Sequence, residues 1–277
     1  MTFQVRRRLL WGAFLGALTI TGCQTVQTTR GGVVGVDRPQ QMSPLTPSAA
    51  QVDAAARQQY LQVLNQAQQK GALNRDPRQT ERVRAIAQRL IPHTAVFRDD
   101  AVRWNWEVNV LVSDQVNAWC MPGGKIAVYT GLIEKLRVTD DELAAVMGHE
   151  IAHALREHAR ERMGRAQAAG LGVLAAEILT GVRLGDAGNT LAQAMFVLPN
   201  SRDNEQEADR IGVELAARAS YDPRAAITLW QKMGAASGGG APPQWLSTPP
   251  SNETRIRDLQ DYAQRVMPLF EQARARR

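Results

Sequence analysis

Residues 139–153 read Thr139-Asp140-Asp141-Glu142-Leu143-Ala144-Ala145-Val146-Met147-Gly148-His149-Glu150-Ile151-Ala152-His153, and they decide what the rest of the chain has to build. Thr139 and Glu142 have the spacing of a helix capping box immediately before the apolar Leu143, Val146 and Met147, so a helix is predicted from about residue 140 to 163. On that helix His149 and His153 lie one turn apart and about 40° around the axis, which lets both imidazoles reach one ion. Zinc takes imidazole nitrogen at roughly 2.0 to 2.1 Å, and a catalytic zinc keeps three protein ligands and an open position for water. Glu150 stands beside that position as the expected general base, because the metal lowers the pKa of its water toward about 7 and a neighbouring carboxylate can take the proton. The competing reading is a chance His-Glu-x-x-His on an exposed helix, and a third ligand decides between them.

One continuation of the pattern would supply a third histidine but requires Gly at 156 and His at 159, where this chain has Arg156 and Ala159. His158 falls about 180° around the wheel from His149 and is expected to be a surface residue. His93, in an Ile-Pro-His-Thr stretch, is expected to be structural. The other source of a ligand is a carboxylate on a later helix, and Ser201-Arg202-Asp203-Asn204-Glu205-Gln206-Glu207-Ala208-Asp209 offers one. Glu205 and Asp209 share a helical face. A Glu ligand with an Asp one turn on is chemically sensible, since the Asp can accept the free N–H of a ligating His and fix its tautomer. An ordinary acidic helix is the alternative, and the metal-type helix upstream weighs against it.

Three blocks in order then resemble the HtpX, LoiP, BepA and Oma-type family of gluzincin metallopeptidases: Asn117-Ala118-Trp119-Cys120-Met121-Pro122-Gly123-Gly124, His149 to His153, and Ser201 to Asp209. The similarity covers roughly residues 50 to 260. It implies one zinc ion held by His149, His153 and Glu205, with Glu150 catalytic and Asp209 supporting a ligand. It also implies a substrate strand along the cleft near residues 125 to 130, with Asn117, Ala118, Lys125, Ile126 and Ala127 as substrate-binding positions. Extended, unfolded or damaged protein would be the substrate, since strand addition reads main chain rather than sequence. Many relatives carry Ser-Thr-His-Pro near the C-terminus, where this chain has Ser247-Thr248-Pro249-Pro250, and the nearby Arg255 is a candidate substitute for the missing histidine.

The fold class expected is α+β and predominantly helical, with a small antiparallel sheet packed on the helix of His149. Apolar residues at helical spacing mark two opening helices over residues 49–69 and 79–91, and Trp104, Trp106, Val108, Val110 and Val112 alternate as in a strand. Lys125 to Thr130 is a second strand, and Pro122-Gly123-Gly124 is expected to turn one back on the other. The Ala-, Gly- and Leu-rich stretch Ala166 to Val182, interrupted by Glu177, is expected to form a helical hairpin near the cleft rather than a span. Ile256, Leu259, Tyr262 and Val266 mark a closing helix.

The N-terminus has the layout of an export signal over residues 1–22: Arg6, Arg7 and Arg8, then the apolar run Leu9 to Ile20, then Gly22. Ile20-Thr21-Gly22-Cys23 resembles a bacterial lipobox, which makes Cys23 the expected lipidation site, and Gln24 after it points by analogy to the outer membrane, facing the periplasm. An uncleaved anchor is the alternative, and either ends at a membrane. Residues 23–50, rich in Gln, Thr, Gly, Pro and Ser, are expected to be a flexible tether to a single domain over 51–277. Cys120 is the only other cysteine, so no intramolecular disulfide is expected once Cys23 is lipidated. The net charge of +6 includes the three signal arginines, which leaves too little to argue for nucleic acid. Charged residues at 22% and apolar residues at 44% suit a globular protein in water and argue against a polytopic membrane protein. Envelope assembly or chaperone proteins are candidate partners.

Overall fold

Helix α4 (Asp140–Leu155) is the axis of the structure, and the local chemistry that starts it is the reciprocal cap expected from the sequence. Thr139 Oγ1 accepts from the Glu142 amide at 3.2 Å, and Glu142 Oε2 accepts from the Thr139 amide at 2.8 Å. The computed structural model describes residues 24–44, 46–166, 200–236 and 252–276. The predicted hairpin at Ala166 to Val182, the Ser247 to Pro250 segment and the lipidation site at Cys23 lie outside these, Ala166 itself excepted.

The helices before the sheet are α1 (Ala49–Gln69), α2 (Pro77–Leu90) and, after it, the short α3 (Thr130–Leu136). Helices α5 (Arg202–Arg218), α6 (Ala225–Ala236) and α7 (Asn252–Ala275) follow α4. Strands β3 (Glu107–Leu111), β4 (Ala118–Met121) and β5 (Lys125–Tyr129) form a sheet in the order β3-β5-β4. The chain is therefore α+β and mostly helical, as expected, but one pairing differs. The turn at Gly123 and Gly124, both at positive φ, joins β4 to β5 in the antiparallel sense, while β3 lies parallel to β5. The sequence hid β4 because all four of its side chains are buried, so it carries no polar alternation.

That topology corrects the expected cleft edge. β5 is the middle strand, its backbone paired on both sides, and Lys125, Ile126 and Ala127 are buried. Lys125 Nζ bonds Glu107 Oε1 at 2.9 Å rather than facing a cleft. β4, which begins at Ala118 directly after Asn117, is the outer strand on the other side. Both sheet faces are covered: Val110, Ala118, Cys120, Ile126 and Val128 join the main core around α4, while Leu111, Trp119, Met121 and Ala127 pack with Val52, Ala56 and Tyr60 of α1. The period of two thus sorts residues between two cores.

Residues 24–44 are not a free tether. Strands β1 (Gln24–Val26) and β2 (Gln40–Met42) pair antiparallel, and Val34, Val36, Gln40 and Met42 are buried. The amides of Val33 and Val34 donate to Glu214 Oε2 at 2.8 and 3.1 Å, the Arg30 amide donates to the Phe97 carbonyl at 2.8 Å, and Gln40 Nε2 donates to the Arg156 carbonyl at 2.8 Å. A segment fixed by buried polar groups of other elements needs no periodic apolar face of its own, which is why composition alone read it as a linker.

Helix α4 ends at Leu155, short of the predicted 163. Glu157 takes φ 52, in the left-handed region, and helix resumes only over residues 158–166. The Arg156 side chain is fully buried at this break, its Nε donating to Glu207 Oε2 at 2.8 Å and its Nη1 to Thr29 Oγ1 at 2.9 Å.

Helices α4 and α5 meet backbone to backbone. A Cβ on Gly148 would lie 2.8 Å from the Gly212 carbonyl oxygen, and one on Gly212 would lie 2.6 Å from the His149 amide nitrogen. Neither atom can retreat, because each belongs to a helix backbone. Gly212→Ala is therefore expected to destabilise the fold by about 1–3 kcal/mol or more, measured by urea unfolding. Unchanged stability would show that the two helices can part at no cost.

Candidate metal centre

Ser201 caps α5, its Oγ accepting from the Asn204 amide at 3.2 Å, and this start places Glu205 and Asp209 on the face that meets α4. Among the described residues, His149, His153 and Glu205 offer ligand atoms that all lie within 4.8 Å of one another. The two Nε2 atoms are 3.0 Å apart. Glu205 Oε2 is 3.5 Å from His149 Nε2, and Oε1 is 3.4 Å from His153 Nε2. Ligands about 2.05 Å from a tetrahedral zinc sit about 3.3 Å from each other, so the spacing suits that ion.

Hydrogen bonding sets which nitrogen of His149 faces the cluster. His149 Nδ1 lies 2.9 Å from Asp209 Oδ1, and a carboxylate can only accept, so Nδ1 carries the hydrogen and Nε2 is left to bind a cation. Asp209 is held in turn by Arg255, whose Nη2 donates to Oδ1 at 2.7 Å, and Arg255 Nη1 is 3.1 Å from Glu205 Oε2. The guanidinium lies over the Trp230 ring at 3.5 Å. Arg255, the candidate substitute for the absent histidine of Ser-Thr-His-Pro, braces the two carboxylates of α5.

Charge in the site follows from this packing. Burial works to lower the His149 pKa, but the bonds to Asp209 and Glu205 outweigh it and raise the group to about 10. Burial and the neighbouring His149 charge keep His153 well below the usual imidazole range, despite the pull of Glu205. Burial opposes ionisation of Glu205, yet its contacts with His149, His153 and Arg255 bring it down to about 2. Glu150 is pushed up to about 7, chiefly by burial, and its Oε1 is buried with no hydrogen-bond partner among the described residues. An unsatisfied carboxylate oxygen next to three residues that could hold a cation is compatible with proton transfer from a water.

The expectation for His158 is corrected. It is fully buried, with Nδ1 2.8 Å from His153 Nδ1 and Nε2 3.0 Å from Glu207 Oε2. The wheel failed because α4 stops at Leu155. His158, Glu207 and Arg156 are the residues near the site that sequence reasoning missed, and no Gly or Pro at 156–157 signals the break that brings them in. His93 sits in a 3-10 turn over Ile91–Val96, partly buried, away from the cluster.

The sequence profile of peptidase family M48 matches residues 77–263, a span that contains α4 and α5. The chain belongs to that family. M48 metallopeptidases are zinc-dependent, and the donor set of two imidazoles and a carboxylate fits that ion. The chain is 41% identical over 155 residues to the mitochondrial metalloendopeptidase OMA1 of Arabidopsis thaliana, covering 56% of this chain and 31% of the relative. It is 36% identical over 177 residues to the human mitochondrial metalloendopeptidase OMA1, covering 59% and 33%. It is 30% identical over 211 residues to the beta-barrel assembly-enhancing protease of Escherichia coli, covering 72% and 42%. This M48 chain thus matches well under two thirds of the length of these relatives.

Metal uptake must displace the proton on His149, since that group holds it up to about pH 10 while Glu205 is already ionised. Zinc binding at pH 8 is therefore expected to release at least one proton, and affinity should rise as pH rises toward about 10. Calorimetric titration in buffers of different ionisation enthalpy reads the proton count directly. A count of zero would contradict a protonated His149 in the metal-free protein.

Proposed function

We propose that this M48 chain is a lipid-anchored zinc endopeptidase of the cell envelope, cleaving peptide bonds of unfolded or damaged proteins, with His149, His153 and Glu205 as metal ligands and Glu150 as the catalytic base. The observation that carries the peptidase reading is Glu150, next in sequence to His149 and buried with one carboxylate oxygen unpartnered among the described residues. A structural zinc closes its coordination with four protein ligands and has no use for a base, whereas three ligands leave a position open.

His149, His153 and Glu205 would hold the zinc, which when bound would supply Lewis acidity to a water and to the scissile carbonyl. Glu150 takes the proton of the attacking water and passes it to the departing amine. Asp209 keeps His149 in the tautomer that presents Nε2, and Arg255 keeps both α5 carboxylates in place. Extended substrate is assigned to β4, the outer strand, with Asn117 and Ala118 at its start, rather than to β5. Main-chain pairing there accepts many sequences, which suits unfolded protein.

The envelope placement is supported by the signal-like first 22 residues and by Cys23, which would put an acylated N-terminus on the outer membrane facing the periplasm. No helix among the described residues is long and apolar enough to cross a membrane. The relatives named for beta-barrel assembly support a role in quality control beside an assembly machinery.

Zinc-loaded full chain is expected to degrade casein, and Glu150→Gln to lower the rate by roughly 10²–10⁴-fold while zinc content stays the same. Equal activity of the two proteins would remove Glu150 from the chemistry, and silence from a zinc-replete parent would favour a holding or scaffold role.

A further inference from the structure

Ligand His149 has its supporting carboxylate, Asp209, but His153 faces no carboxylate with its Nδ1: its neighbour there is a third imidazole. We infer that His158 and Glu207 are positioning residues for His153, and that Arg38 of the N-terminal segment holds Glu207 in that role. The inference rests on His149, His153 and Glu205 being the metal ligands.

The direction of each bond follows from the end of the chain. Glu207 is gripped by two guanidiniums: Arg156 Nε donates to Oε2 at 2.8 Å, and Arg38 donates to Oε1 through Nε and to Oε2 through Nη2 at 3.2 Å. A carboxylate so held is an acceptor only, so His158 Nε2, 3.0 Å away, carries a hydrogen. Neutral His158 then has a bare Nδ1, which accepts from His153 Nδ1–H at 2.8 Å. That leaves the lone pair of His153 on Nε2, the atom 3.0 Å from His149 Nε2 and 3.4 Å from Glu205 Oε1. Were the chain of bonds reversed, His153 would present an N–H to the metal and could not bind it.

Arg38 has further fixed partners, Nη1 on Glu161 Oε1 at 3.0 Å and Nη2 on Asn204 Oδ1 at 3.0 Å. Asn204 is the residue before ligand Glu205, so one side chain of the N-terminal segment ties the start of α5 to the residues after α4. The segment between the proposed lipid site and the domain is thereby part of the support of the metal.

The test uses the full chain with Co²⁺ in place of zinc, reading the dissociation constant by chelator competition and the visible absorption of the bound ion. His158→Phe keeps a ring but cannot accept from His153, and it is expected to weaken Co²⁺ binding roughly 10–100-fold and to change the spectrum. His158→Gln, whose amide oxygen can accept and whose NH₂ can donate to Glu207, should recover most of the loss. Arg38→Met should weaken binding in the same direction by less. A folded His158→Phe protein that binds within about twofold of the parent, or a Gln variant no better than Phe, overturns the inference. Nitrogen-15 spectra of the zinc-loaded parent give the check that needs no variant: a protonated His153 Nδ1 supports the relay, and a bare one overturns it. A parent that takes up no Co²⁺ removes the ligand set, and the relay falls with it, whereas a parent that binds beside an unaffected His158→Phe removes the relay alone.

Discussion

Everything at the candidate metal centre depends on two helix backbones lying in contact at Gly148 and Gly212. A helix pair separated by ordinary side chains keeps its axes 8–10 Å apart, and a carboxylate has only two or three bonds of reach. With no Cβ on either side at the crossing, Glu205 comes within 3.5 Å of both imidazoles, and Asp209, one turn on, meets the rear nitrogen of His149. The same approach buries the carboxylates, and burial makes their charge the next problem to be solved.

Helix α5 presents Glu205, Glu207 and Asp209 to the interior, all of them buried. Buried carboxylates persist only with partners, and removing one partner of such a pair typically costs about 3–5 kcal/mol. The cations come from three distant parts of the chain: Arg38 from the N-terminal segment, Arg156 from the break after α4, and Arg255 from α7. Neutralising the cluster therefore draws both ends of the chain onto the centre. The same environment separates two carboxyl groups, since burial pushes the Glu150 pKa up to about 7 while Glu205 stays ionised.

Much of this was legible from local chemistry. The capping box at Thr139, the imidazole pair one turn apart, and the Glu205–Asp209 spacing each encode geometry within one helix, where sequence separation fixes relative position. The closing helix of Leu259, Tyr262 and Val266 was legible for the same reason. What escaped was non-local or depended on a break without a marker. β4 has no alternating polarity, so pattern alone gives the turn at Gly123-Gly124 the wrong partner strand and makes β5 an edge. Glu157 enters the left-handed region without being Gly or Asn, so a continuous helical wheel projects His158 onto solvent, whereas it packs against His153. Residues 24–44 looked like linker because their order comes from Glu214, Phe97 and Arg156 rather than from their own pattern.

The central claim is that two imidazoles from α4 and one carboxylate from α5 hold one zinc with a position left open. X-ray absorption at the zinc edge of the loaded full chain tests it most directly. The expected spectrum has the scattering of two imidazoles at about 2.0–2.1 Å and oxygen at about 2.0–2.2 Å, with no sulfur. A third imidazole, which would be His158 or His93, or a sulfur shell from Cys120, would contradict it.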